Sequence, residues 1–153
     1  MRIRVATRVG VLAVLLAVLS ALSGCSNEAG PAPKHAPRDP GPEALRTKLA
    51  ALTVDDCYRA PEAQDPAGCA KYVTQLGSIP GRAEKYAGDA HPELAEHGRA
   101  LAAGIESYRR ARCDQPDTAG QPACAQALTD IAAALGAVQD ALVTMLDGPA
   151  ASR

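Results

Sequence analysis

The feature that most constrains this chain of 153 residues is an internal repeat built around four cysteines. In each copy, three apolar side chains lie 12, 8 and 5 residues before the first cysteine, and these are Leu45, Leu49 and Leu52 before Cys57, and Leu101, Ile105 and Tyr108 before Cys113. Steps of four and three residues place side chains on one face of a helix. A loop with two prolines follows, and a second cysteine, Cys69 or Cys124, then opens another helical pattern. The repeat predicts two copies of one unit: helix, cysteine, loop, cysteine, helix.

Two such helical hairpins predict an all-α domain over residues 42–148, folded as an up-down-up-down four-helix bundle with a disulfide at the loop of each hairpin. Proline is favoured in the first turn of a helix. The four expected helix starts are Gly41-Pro42, Asp65-Pro66, His91-Pro92 and Gln121-Pro122. Pro80 interrupts the second helix, which either kinks there or ends and resumes through Tyr86. Gly98 falls on the apolar seam of the third helix, where it lets a neighbour approach closely.

The chain begins with a charged and then an apolar segment: Arg2, Arg4 and Arg8, the apolar run Val9 to Leu19, and then Leu22-Ser23-Gly24-Cys25. This order is typical of a secretory signal peptide. The last four residues resemble the lipobox of a bacterial lipoprotein. The resemblance implies cleavage before Cys25, diacylglycerol on its thiol, and a mature protein on the outer face of the cell membrane. Twelve arginines against four lysines and abundant alanine make the chain similar to actinobacterial lipoproteins.

Two other interpretations of this segment stay open. The apolar run is shorter than the roughly 20 residues of a transmembrane helix. Ordinary cleavage would leave Cys25 as a free thiol. With lipidation, the chain divides into a signal peptide (1–24), the lipidated cysteine with a proline-rich linker (25–41), the helical domain (42–148) and a tail (149–153). Proline-rich segments extend by about 3.1 Å per residue, so the linker spans up to roughly 50 Å.

The four remaining cysteines, Cys57, Cys69, Cys113 and Cys124, are an even number in an exported chain, which favours two disulfides. A zinc site typically requires closely spaced ligand pairs such as Cys-x2-Cys, and the sequence contains no such pair. Because each cysteine sits where a helix meets its loop, the simplest pairing is local: Cys57 with Cys69 and Cys113 with Cys124. In a bundle all four lie at one end, so crossed pairing is the alternative.

Charge and motifs exclude several function classes. Removing residues 1–24 lowers Lys plus Arg from 16 to 13 and leaves all 17 acidic residues, a formal charge near −4. This argues against nucleic acid as a partner and against electrostatic adhesion to anionic lipid. No Gly-x-Ser-x-Gly, phosphate-binding glycine loop or haem motif occurs. Glu93 and His97 are spaced as a solvated helical pair. We expect no enzyme activity, no metal and no cofactor.

The candidate binding residues lie near the cysteines. Arg109, Arg110 and Arg112 form a basic cluster that either contacts an anion or stabilises the C-terminal dipole of its helix. Tyr58, in the first loop, is the best candidate for an exposed contact. We therefore expect a lipid-anchored protein-interaction module that recognises its partner through loops 58–68 and 114–123. The alternative is a carrier or sensor for a small ligand, with Gly98, Gly104 and Gly136 leaving room between the helices.

Overall fold

The structure, a computed structural model, describes residues 39–118 and 120–148. The expected signal peptide, Cys25, residues 26–38 of the linker and the tail lie outside the described residues. Within the described part the chain is all helical, as predicted. The α-helices are α1 (Pro42–Leu52), α2 (Asp56–Arg59), α3 (Ala70–Leu76), α4 (Ile79–Ala87), α5 (Pro92–Arg110) and α6 (Pro122–Asp147). Short 3-10 turns span Pro61–Ala63, Ala67–Cys69 and Pro116–Thr118.

Three of the four expected proline starts begin an α-helix, namely α1, α5 and α6. The fourth begins a 3-10 turn. There, Asp65 accepts a hydrogen bond from the backbone N–H of Ala67 at 3.3 Å, and regular α-helix follows only from Ala70. The helix expected at this start is therefore present, but it opens with a tighter 3-10 turn.

The predicted second helix is two helices, and the break lies before Pro80 rather than at it. Proline has no N–H to bond the carbonyl four residues earlier, which here belongs to Leu76, the last residue of α3. Pro80 itself lies in the first turn of α4. Lys48 of α1 donates to the carbonyl oxygen of Gln75 and to Ser78 Oγ, both at 3.1 Å, and so stabilises the break.

The core is formed by the apolar faces that the repeat predicts. The α5–α6 interface is the most extensive; α4 packs against α5, and α1 and α2 pack against α6. All six repeated apolar positions before the first cysteines are buried, and so are the matched positions after the second cysteines. These matched pairs are Val73 with Leu128 and Leu76 with Ile131.

Helix α6 is long and apolar enough to cross a membrane when only its length and composition are considered. In this fold, 44% of the apolar window is buried against the other helices. The buried residues include Leu128, Ile131, Leu135 and Leu142. Helix α6 therefore serves as the core helix of the domain described here.

Glycines bring the helices of the core close together. A Cβ on Gly98 would lie 3.1 Å from the Cβ of Ala83 and 3.2 Å from the carbonyl oxygen of Pro80. A Cβ on Gly104 would lie 3.0 Å from Cγ1 of Ile131. The close approach predicted at Gly98 is present: α4 packs on α5 at this point with no space for a side chain.

Replacing Gly98 with valine should lower the free energy of unfolding by about 1–3 kcal/mol, because the new side chain overpacks the α4–α5 contact. The matched control is Gly81→Val on α4, where a Cβ meets nothing within 4 Å. The control should stay within about 0.5 kcal/mol of the parent. Chemical unfolding followed by circular dichroism measures both. Equal losses in the two variants would contradict the close-approach account.

Candidate interaction surface at the disulfide end

Two disulfides close the two proline-containing loops. Cys57 bonds to Cys69 and Cys113 bonds to Cys124, with Cα–Cα distances of 5.9 Å and 5.4 Å. The pairing is the local one, and no crossed bond joins the two loops. In the chain-entropy model, closing a loop of this size stabilises the folded state by about 3 kcal/mol.

One buried hydrogen bond joins the first disulfide loop to the end of α5, which leads into the second loop. The hydroxyl of Tyr108, near the end of α5, donates to the carbonyl oxygen of Pro66 in the first loop. Burial, with smaller contributions from the carboxylates of Asp114 and Asp65, raises the pKa of Tyr108 to about 12. These two carboxylates come from different loops. Both loops therefore lie at one end of the domain, which we call the disulfide end.

A second tyrosine lies beneath the first loop without such a bond. Tyr72 of α3 is 4% exposed, and its hydroxyl has no hydrogen-bond partner in the described part of the chain. Burial raises its pKa, with smaller contributions from Asp55 and Tyr58. A buried hydroxyl without a partner is unfavourable by about 1–3 kcal/mol. Tyr72 and Tyr108 are both buried, but only the hydroxyl of Tyr108 contributes a hydrogen bond to the stability of the fold.

The structure corrects the expected exposure of Tyr58. This residue lies in α2, which Asp55 caps by accepting from the N–H of Cys57 at 2.9 Å. Its ring is half-buried, and its hydroxyl faces α6, where a Cβ on Gly136 would lie 3.0 Å from the phenol oxygen. The short helix and the missing side chain at Gly136 together turn the ring inward. The binding role of Tyr58 stays a prediction. The surface that this side chain exposes to a partner is smaller than expected.

The three glycines expected to leave room for a ligand are all at close contacts. Gly136 accommodates Tyr58, Gly104 accommodates Ile131 and Gly98 accommodates Ala83. A groove of about 430 Å³ does run between α5 and α6, but it opens on the surface. Its lining is Ala100, Ala103, Gly104, Ser107, Asp130, Ala133 and Ala134. The ligand-carrier alternative thus gains no support from these glycines.

The three predicted arginines are exposed but do not act as one cluster. Arg110 forms an ion pair with Glu106 one turn earlier, at 3.8 Å. Arg112 has a φ of 56°, in the left-handed region that favours glycine. The backbone N–H of Arg112 donates to the carbonyl oxygen of Arg109 at 3.0 Å. The backbone N–H of Cys113 donates to the carbonyl oxygen of Tyr108 at 3.1 Å. This is the Schellman pattern that ends many helices, and here it turns the chain at Cys113 toward the second disulfide.

Arg109 turns instead toward α3. It lines a surface groove of about 380 Å³ between α3 and the end of α5. The lining is Ala70, Lys71, Val73, Thr74, Tyr108, Arg109 and Asp114. We call this the α3–α5 groove. Sequence reasoning identified Arg109 and missed Lys71, because nothing in the spacing shows that these two residues of different helices share a wall.

The opposite end of the domain holds the last residues of the expected linker. Asp39 accepts hydrogen bonds from Lys85 and Tyr86 of α4, and from the N–H of Gly41 at 3.0 Å. The hydrogen bond from Lys85 in particular holds the pKa of Asp39 well below its ordinary value. Asp39–Gly41 thus belong to the domain rather than to a free linker. The 11 residues of α1 then carry the chain about 16 Å toward the disulfide end.

The described residues show no arrangement typical of a metal centre. In 39–118 and 120–148, no group of three or more His, Cys, Asp or Glu side chains is placed to hold a metal ion. Glu93 lies 3.7 Å from Nδ1 of His91, so it pairs with the N-cap residue of its own helix rather than with His97. Both side chains of this pair are exposed to solvent.

Comparisons with known proteins assign neither a family nor a function to this chain. No family model matches the chain, no curated protein matches it, and no solved structure matches it.

The two buried tyrosines give a matched test of the disulfide end. Tyr108→Phe should lower the free energy of unfolding by about 1 kcal/mol, because it removes a buried hydrogen bond. Tyr72→Phe should leave stability unchanged or raise it, because the lost hydroxyl has no partner to lose. Thermal and chemical unfolding of both variants checks this. If Tyr72→Phe proved the more destabilising change, the assigned roles would be wrong.

Proposed function

We propose that this protein is a lipid-anchored, extracytoplasmic lipoprotein and acts as a non-catalytic protein-interaction module through its disulfide end. In this proposal, the domain is an up-down-up-down four-helix bundle made of two similar hairpins. Its four helical segments are α1, α3 with α4, α5 and α6. The linker joins the bundle to the membrane. The contact surface consists of the two disulfide loops and the α3–α5 groove between them.

The observation that carries the proposal is that one repeated frame holds two loops with different exposed side chains. Loop 58–68 exposes Arg59, Glu62 and Asp65. Loop 114–123 exposes Asp114 and Asp117, and the exposed Arg109, Arg110 and Arg112 lie just before it. A frame that keeps its cysteines and core while its loops diverge favours selective recognition, since complementary charge steers association and excludes wrong partners.

The position of Asp39 supports the orientation of this surface. The hydrogen bonds of Asp39 to α4 fix the point at which the linker meets the domain. Helix α1 separates this point from the first disulfide loop. A tether that reaches the domain at one end presents the other end outward, which suits a module that meets partners away from the membrane.

The anchor has a direct test. Cys25→Ala should abolish incorporation of labelled fatty acid into the protein in a bacterial host, because the thiol is the acceptor that the lipobox implies. Ser26→Ala, one residue further along, is the control and should keep the label. Mass spectrometry of the N-terminal peptide measures the acyl chains directly. Fatty acid on the Cys25→Ala protein would contradict the assignment of the anchor.

The interaction module is tested by photo-crosslinking in living cells. Photoreactive residues replace Glu62 in the first loop and Asp117 in the second, both of which are exposed. Arg99, exposed on the side of α5, is the matched control position. We expect one reproducible protein adduct at the loop positions and none at Arg99. Adducts that are absent from both loops, or equal at all three positions, would count against the proposal.

A further inference from the structure

The α3–α5 groove combines cationic side chains with an apolar floor. Lys71 projects from α3 and Arg109 from the last turn of α5, and both side chains are exposed. Neither has an ion-pair partner among the described residues. Several other cations of the domain do have partners: Arg46 with Glu43 and Asp147, Lys85 with Asp39, and Arg110 with Glu106. The two cations of the groove are therefore available to a ligand.

The other polar groups of the groove already have internal partners. The hydroxyl of Thr74 donates to the carbonyl of Ala70 at 2.8 Å, so its oxygen is left as an acceptor only. Asp114 accepts from the neutral side-chain amide of Gln115 at 2.8 Å, so one carboxylate lines the groove together with the two cations. Val73 and the ring of Tyr108 add apolar surface. The donors that the groove offers to a ligand are the guanidinium and the ammonium.

We propose that the α3–α5 groove binds an acidic peptide segment of the protein partner, with adjacent carboxylates on Arg109 and Lys71. This inference rests on the proposed interaction function and specifies the chemistry of the partner. A guanidinium matches a carboxylate with two parallel hydrogen bonds, and an ammonium adds a point charge.

Size and surroundings favour a peptide over other anions. A groove of about 380 Å³ is in the range of sites that take organic ligands, and it is much larger than one inorganic anion needs. Its apolar floor can contact the residues that flank a carboxylate. A nucleic acid or an anionic membrane would also meet the carboxylates of the first loop, including Glu62 and Asp65, and would be repelled there. A short acidic segment that enters the groove meets one carboxylate, that of Asp114, beside the two cations.

The test is a titration of the full chain, isotope-labelled and held in detergent, followed by amide chemical shifts. The probe is a blocked hexapeptide of sequence GSDESG, and its matched neutral control is GSNQSG. At low salt we expect GSDESG to shift the amides of Ala70, Val73 and Thr74, and the neutral peptide to leave them in place. Raising the ionic strength should weaken binding, because exposed charges are screened.

Charge-removing variants locate the binding. Arg109→Gln and Lys71→Gln should each raise the dissociation constant by about twofold to fivefold, the range of exposed ion pairs. Arg99→Gln, the same change on another exposed turn of α5, should leave it unchanged. Arg109 also lies at the C-terminal end of α5, so thermal unfolding accompanies each titration. If Arg109→Gln does not fold, Lys71→Gln on α3 carries the test.

Three results would overturn this inference: no shift with GSDESG, equal weakening by Arg99→Gln, or equal shifts with inorganic phosphate in its place. The last would point to a phosphate site. Failure here is separate from failure of the interaction function. If adducts form at Glu62 or Asp117 but the peptide does not bind, the protein-interaction function is retained. The groove is then not part of the recognition surface.

Discussion

Closure of the two loops by disulfides at one end is the constraint on which the rest of the fold depends. The chain has 3% aromatic residues and no Phe or Trp, so its core consists mainly of Leu, Ile, Val and Ala. A small core of aliphatic side chains leaves a narrow margin over chain entropy. Each disulfide reduces the entropy of the unfolded chain, and the hydrogen bond from Tyr108 to Pro66 joins the first closed loop to α5, the helix that leads into the second.

The two copies of the repeat share their first part and differ in their second. Thr74 and Thr129 occupy matched positions, and each donates to the carbonyl four residues earlier. After that point the copies diverge. Helix α3 ends at Leu76 because Pro80 provides no N–H, whereas α6 continues through 26 residues and fills the core. One copy thus supplies the central helix, and the other supplies two shorter helices, of which α4 packs against α5.

Sequence pattern predicted the features that depend on local periodicity and on cysteine position. The apolar faces, three proline-led helix starts, the close approach at Gly98 and the local disulfides follow from spacing alone. The features it missed depend on contacts between segments far apart in the chain. Tyr58 turns inward because α6 has no side chain at Gly136, and Lys71 joins Arg109 because the first turn of α3 lies beside the last turn of α5. The left-handed backbone of Arg112 was also missed, because a glycine usually indicates such a conformation and this position holds an arginine.

The ion pairs of the domain bear on the recognition that we propose at the disulfide end. Arg46 and Lys85 pair with carboxylates of the same chain, and Arg110, just before the second loop, pairs with Glu106. Arg109 and Lys71 line the α3–α5 groove at this end, and neither forms an ion pair with a described residue. In the proposed recognition, carboxylates of the partner would supply the pairing that these two side chains do not make within the domain.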